Sequence, residues 1–150
     1  MGNALFYHLT RSNAASLLPQ LIGKAMGAGW RVELRGPDRA RLEGLDEALW
    51  MGDGFLPHGL AGGAHDVRQP VLLRDPAALA AANNPDCIMA IDGVEVGAEE
   101  AGAVARTCII FDGNDQAAVE RARDQWRALT GAGVEAEYWS EAGGRWEKKR

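Results

Sequence analysis

The chain has 150 residues, 47% of them hydrophobic and 25% charged, a composition that suits one self-folding globular domain and excludes disordered and fibrous architectures. Its longest apolar runs, such as Cys108 to Phe111, fall far short of the roughly 20 residues that a membrane-spanning helix needs. The formal net charge of −5 opposes the phosphate backbone, so direct DNA binding is a minority reading unless the cations are strongly clustered.

The opening residues Met1 to Tyr7 run straight into strand-like sequence, without a basic stretch and a small-residue cleavage site. A cytoplasmic location is the expectation. Ala4 to Thr10 reads as a first strand, and Ser12-Asn13 as the N-cap pair of an amphipathic helix reaching about Gly27. Trp30 to Arg35 alternates with period two as a second strand; Gly36-Pro37-Asp38 then breaks the chain and caps a second helix over Arg39 to Met51.

The stretch from Gly52 to Gly63 holds five glycines and one proline and reads as a loop, yet it carries Phe55, Leu56, Pro57 and Leu60. Val71 to Leu73, Cys87 to Ile91 and Val104 to Phe111 are short apolar runs of the kind buried on both faces of a parallel sheet. Gly113-Asn114-Asp115 opens a further helix to about Thr130, Val134 to Trp139 supplies a last strand, and Ala142-Gly143-Gly144 turns the chain into a short basic tail, Arg145 to Arg150. Alternating strands and helices of these lengths predict a single domain over residues 1–150, a three-layer α/β/α sandwich with a mainly parallel sheet.

Such a fold resembles nucleotide-binding proteins in outline, but the glycine-rich phosphate turn is missing. Between the first strand and first helix the chain reads Leu9-Thr10-Arg11-Ser12-Asn13, with neither GxGxxG nor GxxxxGK[ST]. No cofactor is expected. His8, His58 and His65 lack metal-ligand spacing, and Ser12, Ser16 and Ser140 lie outside any nucleophile-elbow pattern. Cys87 and Cys108 sit inside apolar runs and read as buried free thiols. No catalytic residue emerges.

Two constellations carry a signal. On the helix before the last strand, Val119, Ala122, Trp126 and Leu129 form the stripe that faces the sheet, while Arg123 and Arg127 lie about 60° and 100° round the helix from Trp126. Two cations beside an aromatic can hold an acidic peptide that ends in an aromatic residue, the ring entering an apolar notch and the guanidinium groups taking carboxylates. The bland alternative is a solvated face whose arginines pair with Glu120 and Asp124. The second constellation joins Trp50, at the end of the second helix, to Phe55, Leu56 and Pro57. It suits a partner surface or, equally, a loop folded back on its own domain. His58 reads as structural.

The ordered set Asn3-Ala4-Leu5-Phe6-Tyr7, Leu45-Asp46-Glu47-Ala48-Leu49-Trp50, Phe55-Leu56-Pro57-His58 and Arg121-Ala122-Arg123-Asp124-Gln125-Trp126-Arg127 followed by Gly133 resembles the chi subunit of bacterial DNA polymerase III over essentially the whole chain. That resemblance implies a noncatalytic adaptor, an accessory subunit of the holoenzyme linking the clamp loader to single-stranded DNA-binding protein through that protein's acidic C-terminal tail. It puts Arg123, Trp126 and Arg127 at the tail site, with Trp126 and Arg127 where some relatives have tyrosine and lysine. It puts Trp50, Phe55, Leu56 and Pro57 at an interface with the psi subunit or the clamp-loader core. DNA is then contacted only indirectly, and no membrane is involved. The residues alone leave two other readings: a nucleotide-dependent enzyme on the same scaffold, and a weak single-stranded DNA-binding module using Arg121, Arg123, Arg127 and Arg145 to Arg150.

Overall fold

The computed structural model describes residues 2–51, 57–76 and 81–150. Along the chain run Asn3–Leu9 (β1), Ala14–Gly27 (α1), Val32–Arg35 (β2), Arg39–Trp50 (α2), Gly59–Leu60 (β3), a tight helical turn at Asp66–Arg68, Val71–Arg74 (β4) and Cys87–Ile91 (β5). Ala98–Ala103 (α3), Arg106–Asp112 (β6), Gln116–Gly131 (α4), Glu135–Ser140 (β7) and Glu147–Lys148 (β8) complete it. The strands form one sheet in the order β3-β4-β2-β5-β6-β1-β7-β8, parallel at every pairing except β7 with β8.

Three helices start where the cap residues require. Asn13 Oδ1 accepts from Ser16 N–H at 2.9 Å, Asp38 Oδ1 from Arg41 N–H at 2.8 Å, and Asp115 Oδ1 from Ala117 N–H at 3.0 Å, each satisfying a backbone donor that the helix leaves open. The period of two along β5 divides the core. Cys87, Met89 and Ile91 face α1 and α2 with Leu18, Ile22, Leu42 and Leu45, whereas Ile88 and Ala90 face α3 and α4 with Ala101, Ala122 and Leu129. The expected three-layer sandwich is therefore observed. Both cysteines are buried free thiols.

In β2 the alternation does not mark a wet face, because all four residues are buried. Glu33 accepts from Arg35 Nε at 2.7 Å and Arg74 Nε at 2.8 Å, and Arg35 also donates to both oxygens of Glu100, at 2.8 and 2.9 Å. The polar positions of β2 thus enter an ion network instead of water, the condition under which such charges can be buried.

The basic segment Arg145 to Arg150 is stitched to the sheet. After a turn in which Gly144 takes a φ of +94°, the chain returns antiparallel to β7, and Lys149 N–H donates to the Tyr138 carbonyl at 2.6 Å while Tyr138 N–H donates to the Arg150 carbonyl at 3.2 Å. From the opposite face of the sheet, Trp146 meets Tyr7 edge to face at 5.5 Å.

Candidate functional site

Helix α4 packs its Val119, Ala122 and Leu129 into the core, which carries Trp126 to the border between α4 and β7. The indole is half-buried, edge to face with Phe6 at 5.1 Å and Tyr138 at 6.1 Å. The Trp126 and Tyr138 rings, together with Phe111, Val119 and Ala122, floor and wall a recess of about 410 Å³, within the size range of small-ligand pockets.

Cations form its rim. Arg123 and Arg127 project from α4, Lys149 and Arg150 from the returning C-terminal segment, and no acidic side chain is among the lining residues. The Arg150 guanidinium lies over the Trp126 ring at 5.6 Å from its centre. Arg127 donates to Asp124 at 3.2 Å, but both side chains are about three-quarters exposed, so water weakens this pair and leaves the arginine available. Lys149 pairs with Glu147 at 3.2 Å. Among the described residues, neither Arg123 nor Arg150 has an ion-pair partner.

Tyr138 is fixed from beneath. Its hydroxyl shares a hydrogen bond with His8 Nδ1, and the His8 ring stands 5.1 Å from Phe111. Burial, with the Arg123 charge adding to it, lowers the His8 pKa against the opposing Gly113 backbone bond and Asp112 charge, which favours the neutral ring. Burial likewise raises the Tyr138 phenol. The recess thus combines a neutral aromatic floor with a positive rim on a chain whose net charge is −5.

Arg123, Trp126 and Arg127, singled out from the sequence, line one recess. Tyr138, Lys149 and Arg150 line the same recess, a placement not legible in the sequence, because only the pairing of β7 with β8 brings them there. Of the basic residues that a DNA-binding reading would use, Arg123, Arg127, Lys149 and Arg150 meet at the recess, whereas Arg121 lies against Gly93 away from it, Arg145 is near Glu147 at 3.8 Å, and Lys148 is near Glu137 at 3.9 Å.

At the second constellation, Trp50 is 51% exposed and the adjoining Met51 80% exposed. The Trp50 ring stacks at a tilt on His58, 4.3 Å away, and His58 is buried with Nε2 at 3.0 Å from Asp46 Oδ1. Pro57 is half-buried; Phe55 and Leu56 lie outside the described residues.

The loop after β1, where related scaffolds hold phosphate, is filled by the chain itself. Backbone N–H groups of Thr10, Arg11 and Ser12 converge on Glu141 Oε2 at 3.0, 3.0 and 2.8 Å, and the Ser12 hydroxyl donates to Oε1 at 2.8 Å. A phosphate would have to displace this carboxylate. Among the described residues, no group of three His, Cys, Asp or Glu side chains is placed to hold a metal ion, and no helix is long and apolar enough to cross a membrane.

No curated protein matches the chain. The model of one family, described as DNA polymerase III chi subunit, HolC, matches residues 1–137. With that match spanning every element from β1 into β7, the chain belongs to the DNA polymerase III chi family and is an accessory subunit of that polymerase.

Proposed function

We propose that this protein is a noncatalytic adaptor that links the clamp loader of DNA polymerase III to single-stranded DNA-binding protein during replication, by receiving that protein's acidic C-terminal tail in the recess at Trp126. The observation that carries the reading is the inversion of charge. A chain of net charge −5 surrounds an aromatic recess with Arg123, Arg127, Lys149 and Arg150, and no acidic side chain is among the lining residues. Such a site attracts an anionic chain from a distance and rewards a terminal ring on arrival.

Trp50, Phe55, Leu56 and Pro57 form the second contact, to the psi subunit or to the clamp-loader core, and of these Trp50, with the adjoining Met51, is exposed. An aromatic exposed beside apolar neighbours is the composition of an interface centre. The two contacts lie on different elements, α2 and α4, as an adaptor bridging two partners requires. A cytoplasmic location follows from work at the replication fork, and DNA is reached through the partner alone.

The test is calorimetric titration with a synthetic peptide of the host's single-stranded DNA-binding protein C-terminus, beside a peptide lacking the final aromatic residue. Saturable binding of the complete peptide alone is the expected result. Absence of binding at low salt would sink the tail-site assignment and direct attention to the Trp50 surface.

A further inference from the structure

The match to the chi family ends at residue 137, yet one wall of the recess is built from residues beyond it: Tyr138, Lys149 and Arg150. The rim therefore has two banks, one inside the matched residues and one beyond them. Arg123 and Arg127 stand on α4, inside the matched residues; Arg150 stands across the Trp126 ring on the segment that follows β8.

We infer that the β7–β8 hairpin is a second, cationic arm of the peptide site, in which Arg150 contacts the ligand and Trp146 positions the arm from the opposite face of the sheet. This rests on the adaptor reading given above and specifies its ligand: an acidic peptide carrying carboxylates on both sides of the inserted ring, such as an acidic stretch before a terminal aromatic residue whose own carboxylate completes the pair.

Three observations support the assignment. First, Arg150 has no ion-pair partner among the described residues and rests on an indole face. A guanidinium held this way keeps its planar donors for a carboxylate while its face stays on the ring. Second, the arm is fixed at both ends of its short strand. Lys149 and Arg150 share the Tyr138 backbone, Trp139 and Lys148 oppose each other in the ladder, and the Trp146 indole is seated on Tyr7. A side chain delivered from such an arm loses less freedom on binding than one from a loose tail. Third, Lys149 pairs with Glu147 at 3.2 Å, a half-exposed pair that water weakens, whereas Arg150 has no such pair among the described residues and is the less encumbered cation of this bank.

The experiment is the same titration with the complete acidic peptide, repeated on Arg150→Gln, Lys149→Gln, Trp146→Ala and Arg127→Glu, each checked for unchanged circular dichroism. Arg150→Gln is expected to weaken binding about tenfold, as loss of one charge-assisted contact does, and to flatten the salt dependence; Lys149→Gln is expected to change affinity less than threefold. Trp146→Ala, although it touches the other face of the sheet, is expected to reproduce the Arg150→Gln loss, and combining the two should add little further loss. Wild-type affinity in Arg150→Gln, with binding abolished by Arg127→Glu, overturns the arm and leaves the adaptor reading in place. A wild-type protein that does not bind the peptide overturns both.

Discussion

Ser12 and Glu141 are joined twice, the Ser12 backbone N–H donating to Glu141 Oε2 and its hydroxyl to Oε1, both at 2.8 Å. With the N–H groups of Thr10 and Arg11 on the same oxygen, a carboxylate from the end of β7 occupies the anion nest between β1 and α1. This relationship ties the first crossover to the last long strand, and it accounts for a nucleotide-binding outline without a vacant phosphate loop.

Glu141→Ala leaves the four donors in this loop without their acceptor and is expected to cost about 1–3 kcal/mol, read as a fall in urea midpoint. The pH dependence has a definite sign. Burial alone would raise the carboxyl, but the donors from Ser12, Arg11 and Thr10 outweigh it and hold the folded-state pKa below the ordinary value of 4.5. The contribution is therefore full above about pH 4.5 and is lost as pH falls through the lower folded value. The advantage of the wild type over Glu141→Gln should shrink in acid; an advantage independent of pH would show that the carboxylate charge contributes nothing.

Trp126 supports both the fold and the recess, and two substitutions separate the roles. Trp126→Ala removes the contacts to Phe6 and Tyr138 and, for a half-buried indole, is expected to cost about 2–3 kcal/mol together with all measurable peptide binding. Trp126→Phe keeps an aromatic wall and should retain binding within about tenfold. Equal loss of affinity in both variants would remove the ring from the ligand's path.

The starts of the helices are legible in the sequence because caps are local. Asn13, Asp38 and Asp115 sit one residue before α1, α2 and α4, and each bonds a donor within its own first turn. The two-faced apolar runs of β4, β5 and β6 likewise announce a parallel sheet. Helix α3 is not legible: six residues, opened by Gly97, give no apolar period to read. Strand β8 is two residues long, so its turn at Gly143-Gly144 is visible while its return is not. The same limit applies to the site. Arg123, Trp126 and Arg127 share one helix and are found by helical geometry, whereas Tyr138 and Arg150 reach the recess through β-pairing, which carries no local spacing signal.

The network at β2 yields a prediction about stability alone. Arg35 is the partner of both Glu33 and Glu100, and the Arg35 hydrogen bonds hold the Glu100 carboxyl below its ordinary value. Arg35→Met leaves Glu33 buried with one of its two guanidinium partners removed, and breaking a buried pair in this way costs about 3–5 kcal/mol. Urea unfolding should show that loss with peptide affinity unchanged, because no member of the network lines the Trp126 recess. A loss below about 1 kcal/mol would mean that water reaches Glu33 on removal of its partner.

Gly113 governs the floor of the recess without lining it. A Cβ placed there would overlap the His8 ring and stand 2.8 Å from the Leu9 carbonyl oxygen, and that backbone atom cannot swing aside as a side chain could. Gly113→Ala must therefore push His8 off Phe111 and break its hydrogen bond to the Tyr138 hydroxyl. The expected outcome is a loss of about 1–3 kcal/mol from overpacking, and weaker peptide binding as Tyr138 is released into the recess. His8→Asn is the control, since it clears the space that the added methyl needs. The double variant should recover stability relative to Gly113→Ala, and equal stability of the single and double variants would show that the clash lies with the Leu9 backbone and not with His8.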